Sequence, residues 1–147
     1  MRSMKKLNIL IADDDEVFLD MMSQYFEEYD FEISTARDAM YASMIALRVP
    51  HPSIILLDIR MPAGSGLAVL QRLRMSRKTK DIPIVAVSAD ASPTLPDEAR
   101  ELGASAFVLK PVDLEEMRRL VFKLLGLEEM DPIPPKLLPS SAELRAH

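Results

Sequence analysis

The chain of 147 residues contains no cysteine and no tryptophan, and only two histidines. Without cysteine there is no disulfide framework and no thiolate chemistry, a composition that suits a reducing cytoplasm. His51 stands between Pro50 and Pro52 with no partner pattern, so it reads as structural, and neither a Ser-His-Asp arrangement nor a zinc spacing exists. No apolar run approaches the roughly 20 residues of a membrane span. Leu7 to Ala12 is also too short for the apolar segment of a signal peptide. Excess positive charge is lacking as well. A net charge of −5 argues against general affinity for nucleic acid. The basic cluster Arg72, Arg74, Arg77, Lys78 and Lys80 is expected to be a solvated helix end.

What remains is a chain 48% hydrophobic and 28% charged, enough for one soluble domain with a proper core. Ile54-Ile55-Leu56-Leu57 is too uniformly apolar for a strand with one wet face, so it reads as a central parallel strand buried on both sides. Asp58 ends that strand, Pro62 forbids its continuation, and Gly64 and Gly66 give the next loop room to turn. Around this strand the chain alternates two periods. Leu7 to Ala12 is a strand running into Asp13-Asp14-Asp15-Glu16, and a helical stripe follows from Val17. Phe31 to Thr35 is a second, edge-ward strand, and Asp38 to Arg48 a helix. Leu67, Leu70 and Leu73 mark a third helix, Pro83 to Ser88 a fourth strand, and Ala106 to Leu109 a fifth ending in Lys110-Pro111. Asp113 with Glu116 forms a capping box for the last helix.

The fourth helix needs separate treatment. A start at Pro93 would place Pro96 where its ring meets the carbonyl of Ser92, so the cheaper start is Thr94 or Leu95, after an irregular loop. Gly103 then closes a helix of barely two turns.

Strict βα alternation implies an α/β fold: a doubly wound five-stranded parallel sheet with right-handed crossovers and five helices. Five strands favour the flavodoxin-like order 2-1-3-4-5, whose switch point lies between the first and third strands. Asp13, Asp14 and Asp58 then share one edge with Ser88 and Lys110. Carboxylates about 5 Å apart repel by roughly 3 kcal/mol per pair at an effective dielectric near 20, so a compensating cation is implied. An all-oxygen site suits Mg²⁺. A carboxylate beside it can attack phosphorus to give an aspartyl phosphate.

These motifs together, Asp13-Asp14, Asp58 with Met61-Pro62, Ser88-Ala89 and Lys110-Pro111, resemble the response-regulator receiver domain of two-component signalling. The resemblance covers about Lys6 to Leu125. It implies a switch in which Asp58 accepts a phosphoryl group from a histidine-kinase phosphohistidine, shifting Ser88 and Phe107 to change partner binding. It further implies Mg²⁺ held by Asp13, Asp14, Asp58 and the backbone carbonyl of Arg60. Ser88 and Ala89 then form the switch segment, Lys110 contacts the phosphoryl group, Phe107 is the aromatic switch residue, and Lys110-Pro111 is cis. Arg60 and Asp90, two residues beyond Asp58 and Ser88, should face each other across the cleft mouth and modulate phosphoryl lifetime.

The implied partners are a sensor histidine kinase or phosphotransfer protein and a downstream protein target, with no nucleic acid, no membrane, and room for a homodimer. Such a protein is not an enzyme apart from catalysing its own phosphorylation and dephosphorylation. Ser65 replaces the family's usual acidic residue before Gly66, and Phe107 lacks the common tyrosine hydroxyl. Residues 1–5 read as an extension, 6–126 as the domain, and 127–147 as a Pro-rich flexible tail, from a single-domain regulator or one cut from a longer chain. Two other readings stay open. Asp13-x-Asp15-x-Val17 resembles the nucleophile motif of haloacid-dehalogenase-like phosphatases, and a receiver can act as a binding module without phosphorylation.

Overall fold

In the computed structural model, residues 6–127 are described; the expectations for 1–5 and for nearly all of the tail, from 128 on, lie outside the described residues. The elements run β1 (Asn8–Ala12), α1 (Glu16–Glu27), β2 (Glu32–Ala36), α2 (Ala39–Leu47), β3 (Ile54–Asp58), α3 (Gly66–Met75), β4 (Ile84–Ser88), α4 (Leu95–Glu101), β5 (Ala106–Leu109) and α5 (Leu114–Leu124). The strands form one parallel sheet in the order β2-β1-β3-β4-β5. β3 is buried along its whole length, as its aliphatic run requires.

Alternation along the strands splits the core between the faces of the sheet. Ile9, Ile11, Ile54, Leu56, Val85 and Val87 pack with α1 and α5 through Phe18, Met22, Phe26, Met117 and Val121. Leu10, Ile55, Leu57 and Ile84 pack with α2 and α3 through Ile45, Leu70 and Leu73. α4 covers a smaller cluster of Ile59, Ala86, Leu95 and Ala99, with Phe107 beside it. No helix among the described residues is long and apolar enough to cross a membrane.

Caps fall where the residue types allow them. Asp15, Asp38, Ser65 and Asp113 each accept a backbone N–H in the first turn of α1, α2, α3 and α5. α4 begins at Leu95 after Thr94, with Pro96 in its first turn, the short helix expected from the two prolines. His51 has a structural role, its Nδ1 lying 3.1 Å from the carbonyl oxygen of Ala46.

Two expectations require correction. Arg74 does not belong to a solvated helix end. Its Nε donates to the Gly103 carbonyl at 2.8 Å and its Nη1 to the carbonyls of Ile82 at 2.7 Å and Lys80 at 3.1 Å. The guanidinium ties the end of α3 to the loops before β4 and β5, because its planar fork reaches several carbonyls at once. Gly66 is not a turn residue. A Cβ there would lie 2.2 Å from the Asp58 carbonyl oxygen and 2.6 Å from the Ile59 Cα, so α3 starts in near-contact with the end of β3. The turn itself lies one step earlier, at Ala63 (φ 57°) and Gly64 (φ 119°).

Candidate functional site

The carboxyl edge of the sheet gathers residues far apart in sequence. Asp13 follows β1 and is fully buried, its N–H donating to the Ala36 carbonyl at 2.9 Å. One of its oxygens accepts the Asp15 N–H at 2.9 Å and the other accepts from Lys110 Nζ at 2.6 Å. Asp14, next in sequence, is exposed. Asp58 closes β3 and is 5% exposed. Its Oδ1 accepts the Arg60 N–H at 3.0 Å, and its Oδ2 lies 3.7 Å from Lys110 Nζ. One carboxylate oxygen from each of Asp13, Asp14 and Asp58 falls within 4.8 Å of the others.

The electrostatics follow from this crowding. Burial pushes the Asp58 carboxyl up from 3.8 to about 6, and the charge of Asp13 adds to the effect. The Arg60 amide and Lys110 pull the other way. Burial also works against the charge on Lys110, but its hydrogen bond to Asp13 and the surrounding carboxylates outweigh that cost, so its affinity for the proton is raised. Lys110 Nζ lies 4.5 Å from the centroid of the Phe18 ring. The repulsion foreseen among the carboxylates is therefore partly met from within, by Lys110. The remaining oxygens still form a hard, anionic donor set fitted to a divalent cation that keeps several waters.

The other strand ends complete the rim. Ser88 is fully buried, its Oγ accepts the Asp90 N–H at 3.0 Å, and its carbonyl accepts the Lys110 N–H at 2.8 Å. Ala89, beside it, is exposed. Arg60 and Asp90 pair across the mouth at 2.5 Å. The N–H of Ser92, then Arg60, holds the Asp90 carboxyl below its ordinary value. Phe107 is half-buried against the cluster under α4, displaced from the carboxylates. The Lys110-Pro111 bond is cis, and so is Val49-Pro50, which was not anticipated. Below the Arg60 loop an open depression of about 390 Å³ is lined by Asp14, Ile59, Arg60, Met61, Pro62, Gly64 and Ser65.

The expected residues other than Phe107 thus lie at one edge, while Phe107 sits inside β5 opposite Ala86. Sequence reasoning missed the place of Phe18 beside Lys110 and the close approach at Gly66. A glycine directly after a Ser cap, beside a strand-end carboxylate, was the available signal for the latter.

Known proteins include relatives of this chain in sequence and in fold. The chain is 33% identical over 126 residues to the DNA-binding dual master transcriptional regulator RpaA of Synechocystis, an alignment covering 86% of this chain and 51% of that protein. It is 29% identical over 119 residues to the polar-differentiation response regulator DivK of Brucella ovis, covering 81% of this chain and 96% of that one. The chain spans about half the length of RpaA and about a quarter of the Escherichia coli regulatory protein AtoC, another relative.

Solved structures share the fold at lower identity. A putative response regulator from Chloroflexus aurantiacus superposes with a TM-score of 0.78 at 24% identity, covering 83% of this chain and 99% of that one. The receiver domain of sensor histidine kinase PA1611 from Pseudomonas aeruginosa, solved with a magnesium ion in its active site cleft, gives 0.75 at 21%, covering 83% and 99%. The family model for the response regulator receiver domain matches residues 9–122, and the chain belongs to that family.

Proposed function

We propose that this chain is a phosphorylation-dependent signalling switch whose Asp58 takes a phosphoryl group from the phosphohistidine of a sensor histidine kinase or phosphotransfer protein. The observation that carries this reading is the placement of Asp58. It is buried at a strand end, one oxygen tethered by the Arg60 N–H, the other facing Lys110, with Asp13 and Asp14 alongside. In the transfer, an Asp58 oxygen bonds to phosphorus while the phosphorus–nitrogen bond to the imidazole breaks; the imidazole leaves with the electron pair and is protonated. A carboxyl near 6 is more basic than an ordinary carboxylate yet still ionised at neutral pH, which favours attack. Lys110 offsets negative charge on the incoming group. The Ser88 hydroxyl accepts from the Asp90 N–H, leaving its own proton to donate to a phosphoryl oxygen.

Mg²⁺ bound by Asp13, Asp14, Asp58 and the Arg60 backbone carbonyl would supply electrostatic neutralisation of the transferring group. The donor set supports that choice, as does the magnesium in the cleft of the PA1611 receiver domain. Ser88 and Phe107 then carry the change to a downstream protein target, and the Arg60–Asp90 pair modulates phosphoryl lifetime. The phosphatase reading is disfavoured, because Asp15 is committed to capping α1 through the N–H groups of Val17 and Phe18. The same reading makes the chain a cytoplasmic switch rather than an enzyme acting on other substrates.

Intact-mass measurement after incubation with Mg²⁺ and a small phosphodonor tests the proposal. One phosphoryl group is expected on the parent, and none on Asp58→Asn or in excess chelator. Labelling that persists in either control overturns it.

A further inference from the structure

The helix α2 reads Ala39-Met40-Tyr41-Ala42-Ser43-Met44-Ile45-Ala46-Leu47 and contains no charged residue. Its inner residues Ala39, Ala42, Ser43, Ile45 and Ala46 are buried, as a sheet-covering helix requires. Its outer face is apolar too, with Met40 73% exposed, Tyr41 43% and Met44 54%. A solvated helix face is ordinarily polar, and a helix apolar all round is ordinarily covered. The other helices put charge on their outer faces, with Glu16 and Asp20 beside the exposed Val17 and Met21 on α1, Arg72 beside Met75 on α3, Asp97 and Glu98 on α4, and Glu115 and Arg119 on α5. Met40 and Met44 stand one turn apart, with Tyr41 adjoining, so they form one continuous stripe.

We propose that this face of α2 is a self-association surface, occupied by α2 of a second copy packed antiparallel about a two-fold axis near residues 42 and 43. Charge selects that partner and that orientation. The stripe ends at Arg48, which is exposed and has no ion-pair partner among the described residues. Its other end carries Glu16, paired with Arg37 at 2.7 Å, and Asp38, a group summing to −1. An antiparallel pair sets each Arg48 opposite residue 37 of the other copy, where Arg37 is already paired with Glu16 and Asp38 leaves the excess negative charge, and it opposes the two helix dipoles favourably. A parallel pair would set Arg48 against Arg48. The same register lays Met44 of one copy on Tyr41 of the other, a thioether–aromatic contact repeated by symmetry.

Area sets the strength. Met40, Tyr41 and Met44 expose about 400 Å² per copy, and with Arg37 and Arg48 at the rim the pair buries about 1,000 Å², below the roughly 1,200 Å² of a stable specific interface and within the range of weak, transient ones. The dimer is thus a weak, reversible one, independent of whether Asp58 is phosphorylated.

Sedimentation equilibrium of the full chain from about 10 µM to 1 mM, without phosphodonor, tests this, with amide chemical shifts followed over the same range. The apparent mass should climb from 16.5 kDa towards twice that. Shifts should concentrate in residues 37–48. Met44→Glu should weaken association at least tenfold and Arg48→Glu several-fold, while Met75→Glu, at an exposed methionine of α3, should leave it unchanged. A chain monomeric throughout, or association insensitive to Met44→Glu, overturns the proposal, as do shifts that map elsewhere. Failure of Asp58 to take phosphate would leave these outcomes unaltered, so the two readings fail separately.

Discussion

Asp58→Asn should stabilise the folded chain at neutral pH when metal is chelated. The carboxyl sits at about 6 in the folded protein against 3.8 in the unfolded chain, chiefly because burial disfavours its charge. That difference corresponds to at most about 3 kcal/mol of native-state penalty. Asparagine keeps an oxygen for the Arg60 N–H and offers an amide N–H towards Asp13, while Lys110 loses one of its two carboxylates. A net gain of about 2 kcal/mol remains, or about 6 °C in Tm for a domain of this size. The sign with pH follows from the raised value. The folded state holds the Asp58 proton more tightly, so the penalty is complete above about 6 and is relieved as pH falls towards 3.8. Urea denaturation of both proteins in excess chelator, at pH 7.5, 6 and 4.5, should show a gap that is widest at pH 7.5 and shrinks with acid. A variant no more stable than the parent at pH 7.5, or a gap unchanged at pH 4.5, would refute the reasoning.

Other expectations address the rim and the frame. Arg60→Ala should alter the rate of phosphoryl loss while changing stability by no more than about 1 kcal/mol, since the Arg60–Asp90 pair is largely exposed; equal dephosphorylation rates in variant and parent would contradict it. Gly66→Ala should destabilise by about 2 kcal/mol or more and impair phosphorylation, because the new methyl meets the Asp58 carbonyl. Normal stability and normal labelling together would show that the helix start simply shifts. Arg74→Met keeps the aliphatic stem but leaves the carbonyls of Gly103, Lys80 and Ile82 without their donor. A loss of about 1 to 3 kcal/mol is expected, with faster amide exchange around residues 79–83 and 103–105, and unchanged exchange there would exclude the linking role.

The sequence by itself determined the layout. Apolar runs too uniform for a wet face, each ended by a polar residue, put Asp13, Asp14, Asp58, Ser88 and Lys110 at one sheet edge. Caps and prolines located the helix starts, down to Leu95 for α4. Those features are local, written in period, burial and backbone sterics. Tertiary structure decided what depends on register and on chain segments meeting. It buried Asp13 while leaving Asp14 exposed, and it brought Lys110 to Asp13 across 97 positions as the internal cation. It pressed Gly66 against the Asp58 carbonyl and drew Arg74 out of an apparently solvated basic cluster. It also turned Met40, Tyr41 and Met44 outward. In one dimension a lysine among lysines or a methionine among alanines carries no mark of its partner. The partner is chosen only when the sheet closes and fixes which side chains share the same few ångströms.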